Sequence, residues 1–345
     1  MSQSSLRYTS LKALRHPDKI GLIRRGIPTG PTHVLLVLSD LCNQNCHFCS
    51  YRDPTYVSSQ LFHEDGNYNP NRKLPREKAI EILDDCQELG AKGIQFTGGG
   101  EPTVHPDFQE LVDYTSTLGL RWGLITNGVR LNRFDVSHAA WVRISIDAGR
   151  PETYARIRQV PTNHWDLALK SVQREKCGVG FIATPENWTE MYACAELVKS
   201  LGASNIRIGP QFSEQDDHLF DGFLDDMVAL SEATKTLSDE NFKVYSRMDK
   251  IDEIKAPPED SLCGYQYFTT HIGADQNLYR CCIYAYNPYG LVGTLKGKRL
   301  KDVWMENWQG ISQFDATKCK GCHYKDINRT LAYALSESAV DDEFV

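Results

Sequence analysis

The chain has no long apolar run. Its longest strand-like stretch is Val34 to Leu38, far short of the roughly 20 residues that cross a bilayer. The N-terminal residues offer no apolar core of the kind a secretory signal needs, so the expected location is the cytoplasm, with no membrane partner. Basic charge is not in excess either. The 38 Lys and Arg against 45 Asp and Glu leave a net charge of −7, which excludes a general nucleic-acid coat. The deficit is uneven: residues 1–30 carry Arg7, Lys12, Arg15, Lys19, Arg24 and Arg25 against Asp18. Such an arm packs on an acidic body or touches a polyanion, and this is where a nucleic-acid contact would form.

Cysteine is plentiful, with 11 in 345 residues. In a reducing compartment grouped cysteines bind metal more often than they pair. The tightest group is Leu41-Cys42-Asn43-Gln44-Asn45-Cys46-His47-Phe48-Cys49. A short loop can turn three thiolates inward at that spacing, and soft thiolate sets select iron–sulfur centres, zinc or copper(I). Three ligands leave a metal position free for a substrate or cosubstrate, whereas a closed structural site wants four. The loop follows a β-branched and leucine run from Thr32 to Ser39, so it lies at the C-terminal end of a buried strand.

Further strands are read at Gly93–Thr97, Arg121–Thr126, Trp141–Asp147, Gly178–Thr184 and Asn205–Gly209, with helical stretches between them. Six strands alternating with helices predict an α/β chain with a parallel sheet covered by helices, too few for a closed eight-stranded barrel. The second strand ends in Gly98-Gly99-Gly100-Glu101-Pro102. Glycine there lets backbone approach a ligand closely, and a neighbouring carboxylate can accept from an ammonium group. The run is neither a P-loop nor a dinucleotide fingerprint, because the residues after its glycines are wrong for both.

The cysteine triad, with Phe48 as its aromatic, and the Gly99-Gly100-Glu101-Pro102 element together resemble the radical S-adenosylmethionine (radical SAM) enzymes. The resemblance implies a partial (β/α)6 TIM-like barrel over residues 31–240. Cys42, Cys46 and Cys49 would hold a [4Fe-4S] cluster, and S-adenosylmethionine would chelate its fourth iron. Glu101 would bind the methionyl amino group and Arg158 its carboxylate. Asn127, Ser145 and Asp147, at strand ends facing the same mouth, would contact ribose or the methionyl group. A low-potential donor of the flavodoxin or ferredoxin type would supply the electron.

A second cysteine group follows Pro257-Pro258. Cys263 precedes a β-hairpin with Cys281-Cys282 at its exit, and Cys319-Lys320-Gly321-Cys322 closes the set. Four thiolates fill a tetrahedral or cubane site, and spacing does not separate zinc from iron–sulfur. Within a radical SAM chain the group resembles the twitch form of the SPASM extension, a small C-terminal β-hairpin and helix domain over 241–335 with a second, auxiliary [4Fe-4S] cluster. Cys263, Cys281, Cys319 and Cys322 would be its ligands. Cys282 could replace Cys281, or be a free thiol that donates a hydrogen atom, and His323 is an alternative ligand. Residues 336–345 form an acidic tail.

The expected reaction is hydrogen abstraction from an unactivated C–H bond, leading to isomerisation, oxidation or epimerisation of an amino-acid- or sugar-bearing substrate. The first strand begins after only about 30 residues, which leaves no room for a leader-binding domain. That favours a small or nucleotide-linked substrate, a modified DNA base included, over modification of a peptide or protein. Two other classes fit the cysteines: an iron–sulfur electron carrier and a zinc-stabilised binding module.

Overall fold

The computed structural model describes residues 9–52, 71–174, 176–211, 218–248, 251 and 256–336. Most of the polar stretch expected between Ser50 and Lys73, the first residues of the basic arm and nearly all of the acidic tail lie outside them.

Seven parallel strands stand side by side in chain order: β1 (His33–Val37), β2 (Gly93–Thr97), β3 (Arg121–Thr126), β4 (Trp141–Ser145), β5 (Cys177–Ala183), β6 (Asn205–Pro210) and β7 (Lys243–Ser246). Parallel neighbours require crossovers, and the helices supply them. After α1 (Pro17–Arg24), these are α2 (Arg76–Glu88), α3 (Phe108–Thr117), α4 (Pro151–Arg158), α5 (Asn163–Val172), α6 (Met191–Ser200) and α7 (Leu224–Lys235). In α2, Pro75 occupies the N-cap and Glu77 the first turn, and the buried face is Ala79, Ile82, Leu83 and Cys86. That spacing is one stripe of a helix packed on the sheet. Cys177 and Cys194 are buried in the same core.

The partial barrel expected from the sequence is present; among the described residues it has seven parallel strands in chain order where six were expected. The seventh is only four residues long with Val244 alone buried, so its pattern is too short to stand out. The C-terminal hairpin is not set apart from the sheet. β8 (Thr269–Ile272) pairs in parallel with β1, setting Thr270 beside Val34. β9 (Asn277–Tyr279) and β10 (Leu291–Thr294) continue antiparallel from it, giving one ten-stranded sheet. Among the described residues three helices follow: α8 (Leu300–Glu306), α9 (Trp308–Ser312) and α10 (Lys325–Leu335). Asp85 of α2, fully buried, accepts from the Arg299 guanidinium at 2.6 Å and ties this segment to the barrel. The arm is docked as well: the Lys19 ammonium donates to the Gly30 carbonyl and lies 4.9 Å over the Phe268 ring.

The two faces of the sheet differ. Val34, Leu36, Ile94, Phe96, Leu124, Val142, Ile144, Val179, Ile206 and Ile208 join the helices in the hydrophobic core. Alternate residues point the other way, since side chains alternate along a strand. Registers line up Gln95 with Gly123, Ile125 with Arg143, Ser145 with Gly180, and Gly180 with Arg207 on this concave face. On β5 and β6 it carries Gly178, Gly180, Arg207 and Gly209, where the other face carries Val179, Ile206 and Ile208. At one end the indole of Trp141 fills the space beside Gly123, where an added Cβ would lie 2.2 Å from the ring. Gly123→Ala should therefore destabilise the protein by about 1–3 kcal/mol through overpacking. Thermal denaturation would show this, and adding Trp141→Leu should restore most of the loss.

Candidate active site at the mouth of the barrel

The cysteine loop starts where β1 ends, and the glycine run clamps it from β2. Gly100 N–H donates to the Ser39 carbonyl at 2.9 Å, and Glu101 N–H to that of Leu41 at 3.0 Å. A Cβ on Gly100 would lie 2.1 Å from the Leu41 carbonyl oxygen and 2.5 Å from that of Asp40. The close approach that glycine allows here is thus to the backbone before Cys42. Gly99 is buried between.

Glu101 is buried, and its carboxylate is heavily used. One oxygen accepts from Thr103 N–H at 3.1 Å, the Thr103 hydroxyl at 2.7 Å and the Thr126 hydroxyl at 2.6 Å; the other accepts from Asn127 N–H at 2.8 Å. The carboxylate thereby locks the ends of β2 and β3 together. Asn127 then reaches the cysteine loop: its amide donates to the Asn43 side chain at 2.7 Å and stands 3.9 Å from the Cys42 sulfur.

The other side of the loop is held by α4. Asn45 and His47 N–H donate to the carbonyls of Arg158 and Ile157. The buried Arg158 guanidinium is bonded to the Asp147 carboxylate and to Gln44 Oε1, and one amino group lies 3.9 Å from the Cys46 sulfur. Its Nε is buried without a hydrogen-bond partner. Asp147 is buried too; its second oxygen accepts from Ile182 N–H at 2.7 Å. Of the positions expected to touch S-adenosylmethionine, Asp147 faces Arg158, while Ser145 stands half-buried on the concave face. Phe48 is partly buried against the core, edge-on to His47. Burial pushes the Cys42 thiol up to about 12 and that of Cys46 up to about 11, the latter against the pull of Arg158. Metal binding must displace those protons.

Two residues escaped the sequence reading. Gln44 is buried, with its amide donating to the Tyr154 hydroxyl at 2.9 Å. Arg52, 1% exposed, lies under the loop and donates to the Gln44 carbonyl and the Asn45 side chain. The one available signal was an arginine three residues past the last cysteine of a short loop.

The second cysteine group surrounds a cavity whose wall includes Cys263, Cys281, Cys319, Cys322, Tyr265 and Arg280. Tyr324 N–H and the Asn328 amide point at the Cys322 sulfur, at 3.3 and 3.8 Å. Neither Cys282 nor His323 belongs to that wall. The Cys282 sulfur instead lies 2.9 Å from the Tyr324 hydroxyl, and the Tyr324 ring stacks on Tyr265 at 3.9 Å. Among the described residues no three His, Cys, Asp or Glu converge on a single-ion position.

Residues 36–207 match the family described as "Radical SAM superfamily". The chain belongs to the radical SAM superfamily. Among curated relatives, an S-adenosylmethionine-dependent nucleotide dehydratase of Flammeovirga pacifica is 32% identical over 111 residues, 31% of this chain and 35% of the relative. The mycofactocin maturase MftC of Mycobacterium tuberculosis is 28% identical over 199 residues, 54% and 46% of the two chains. These matches thus span between a third and a half of the relatives' length. Among solved structures, Streptococcus suis SuiB bound to its precursor peptide SuiA superposes with a TM-score of 0.61 at 15% identity, over 92% of this chain and 75% of that one. That likeness is one of fold.

Radical SAM enzymes use a [4Fe-4S] cluster and S-adenosylmethionine, and the mouth fits both. It offers three thiols on one loop, with an amide and a guanidinium directed at two of the sulfurs, and a buried guanidinium nitrogen still short of an acceptor. Donors at cluster sulfurs tune potential and orientation. Among the described residues no helix is long and apolar enough to cross a membrane.

Three variants check this geometry. Gly100→Ala should lose the iron held by the Cys42 loop while keeping its helical circular dichroism, since the clash falls on the backbone at Leu41. Cys281→Ser should lose about half the iron of the reconstituted protein, given four irons at each of two sites. Cys282→Ser should keep its iron, because Cys282 stands outside the cavity.

Proposed function

We propose that this radical SAM enzyme takes a hydrogen atom from an unactivated C–H bond of a small, amino-acid- or sugar-bearing, nucleotide-linked substrate. In this reading Cys282 returns a hydrogen atom, so the net reaction is an isomerisation or epimerisation. The observation that carries it is the position of Cys282: outside the wall of the four-cysteine cavity, with its sulfur 2.9 Å from the Tyr324 hydroxyl. In this reading the thiol faces the same space as the loop of Cys42, Cys46 and Cys49.

Bound together, the cluster and S-adenosylmethionine supply a 5′-deoxyadenosyl radical after one-electron cleavage of the sulfonium. The protein's part is to hold and orient. Cys42, Cys46 and Cys49 anchor the cluster, and Cys263, Cys281, Cys319 and Cys322 hold an auxiliary one. Glu101 and Asp147 act as positioning residues for Asn127 and Arg158. Hydrogen abstraction leaves a substrate carbon radical and 5′-deoxyadenosine. The Cys282 S–H bond then breaks, its hydrogen atom goes to the carbon, and a thiyl remains. One electron from an external ferredoxin- or flavodoxin-type donor and one proton restore the thiol. The match to a nucleotide dehydratase supports a nucleotide-linked substrate.

Anaerobic enzyme with dithionite and S-adenosylmethionine should release 5′-deoxyadenosine. With amino-acid-bearing nucleotides in D2O, the product should carry one solvent deuterium through the exchangeable thiol. Cys282→Ala should still release about one 5′-deoxyadenosine per chain and then stop. A product free of solvent deuterium removes Cys282 from this role. Turnover on a peptide, with none on any nucleotide, moves the substrate class to peptides.

A further inference from the structure

Besides its four cysteines, the wall of the second cavity presents two nitrogen donors that meet no acceptor among the described residues. They belong to Gln266 and Arg280, both of which line it. Gln266 sits in the short helical turn Gly264–Tyr267, just after Cys263, and Arg280 follows β9 directly before Cys281. The two side chains are joined: Arg280 Nη1 donates to Gln266 Oε1 at 2.8 Å. A guanidinium has only donors, so the amide must turn its oxygen to Arg280 and its nitrogen away. That nitrogen and Arg280 Nε are both buried without a hydrogen-bond partner among the described residues. Gln266 as a whole is 3% exposed. The Arg280 guanidinium lies 4.4 Å from the centre of the Phe314 ring, a further wall residue. Among the described residues it pairs with no carboxylate.

Buried donors in native proteins are almost always satisfied, and a guanidinium does not shed its proton to escape the cost. Two such donors on one wall call for an acceptor inside the cavity. Cysteine thiolates are acceptors, and the sulfides of an iron–sulfur cluster add more. We propose that Arg280 Nε and Gln266 Nε2 donate to sulfur of the auxiliary [4Fe-4S] cluster and raise its reduction potential. Four thiolate ligands leave that cluster negatively charged, and reduction adds a further electron. A cation and two N–H groups held beside it therefore stabilise the reduced form more than the oxidised one. Tyr324 N–H and the Asn328 amide act on the Cys322 sulfur as neutral dipoles. Among the wall residues Arg280 is the one that brings a full charge. The inference rests on the assignment of Cys263, Cys281, Cys319 and Cys322 to an auxiliary cluster, and it names what sets that cluster's potential.

The test is a redox titration of the reconstituted full-length enzyme, followed by electron paramagnetic resonance. Wild type should show two reduction steps, and a Cys42→Ala/Cys46→Ala/Cys49→Ala variant should keep only the step of the auxiliary cluster. Arg280→Gln should move that step alone. At a fixed ambient potential its oxidised-to-reduced ratio should rise about tenfold, which is about 59 mV for a one-electron couple. Gln266→Leu should move it the same way by less, because the bond it removes is a neutral one. Arg280→Lys, which keeps the charge, should recover part of the shift. Gln266→Leu decides the matter if Arg280→Gln fails to hold its iron, since the charge then stays in place. An auxiliary step unmoved in the variants that keep their iron overturns the proposal, as does a shift toward the reduced form. Iron content separates the two claims. A wild type with about four irons per chain where two clusters require about eight has no auxiliary cluster, and both claims fall. About eight irons with an unmoved step sink only the role of Arg280 and Gln266.

Discussion

The buried pair between Arg158 and Asp147 is the interaction on which the mouth of the barrel depends. Two charges out of water are costly unless each is well bonded, and here each is bonded further: Arg158 to Gln44, and Asp147 to the Ile182 backbone. The pair spans the end of β4, the end of α4 and the cysteine loop. It turns a flexible run of polar residues into a fixed cradle and leaves a positive charge beside the Cys46 sulfur. Glu101 does the corresponding work on the other side, through Thr103, Thr126 and Asn127. The loop is held between two carboxylates that are themselves fully engaged.

This arrangement separates holding from reacting. The convex face of the sheet and its helices supply the apolar core, and the strand ends hold the cysteine loop. The concave face stays free of bulky apolar side chains at Gly178, Gly180, Arg207 and Gly209. The C-terminal hairpin joins the β1 edge of the same sheet, which carries the second cysteine group to the side of that face. Cys282 stands outside the four-cysteine cavity, against the Tyr324 hydroxyl.

Much of this was legible from the chain. The triad at Cys42, Cys46 and Cys49 and the Gly98–Pro102 run are local patterns, and a loop of eight residues after a strand has few ways to place three thiols. Six strands and their helices announced themselves through apolar runs and periodicity. What escaped was either short or tertiary. β7 and β10 span four residues each, below the length at which alternation can be recognised. The partners of Glu101 and Asp147 also could not be read, because a carboxylate beside a glycine run looks the same whether it meets a ligand or the next strand.

By itself the sequence determined the chemistry of the donor set and the α/β class, because both are written in short-range spacing. Only the tertiary structure decided that Cys281 lines a cavity while Cys282 faces Tyr324, and that Arg143 and Arg207 share one face. Adjacent residues diverge when the backbone turns between them, and residues 64 positions apart come onto one face when strand register aligns them. Neither outcome leaves a mark on local sequence.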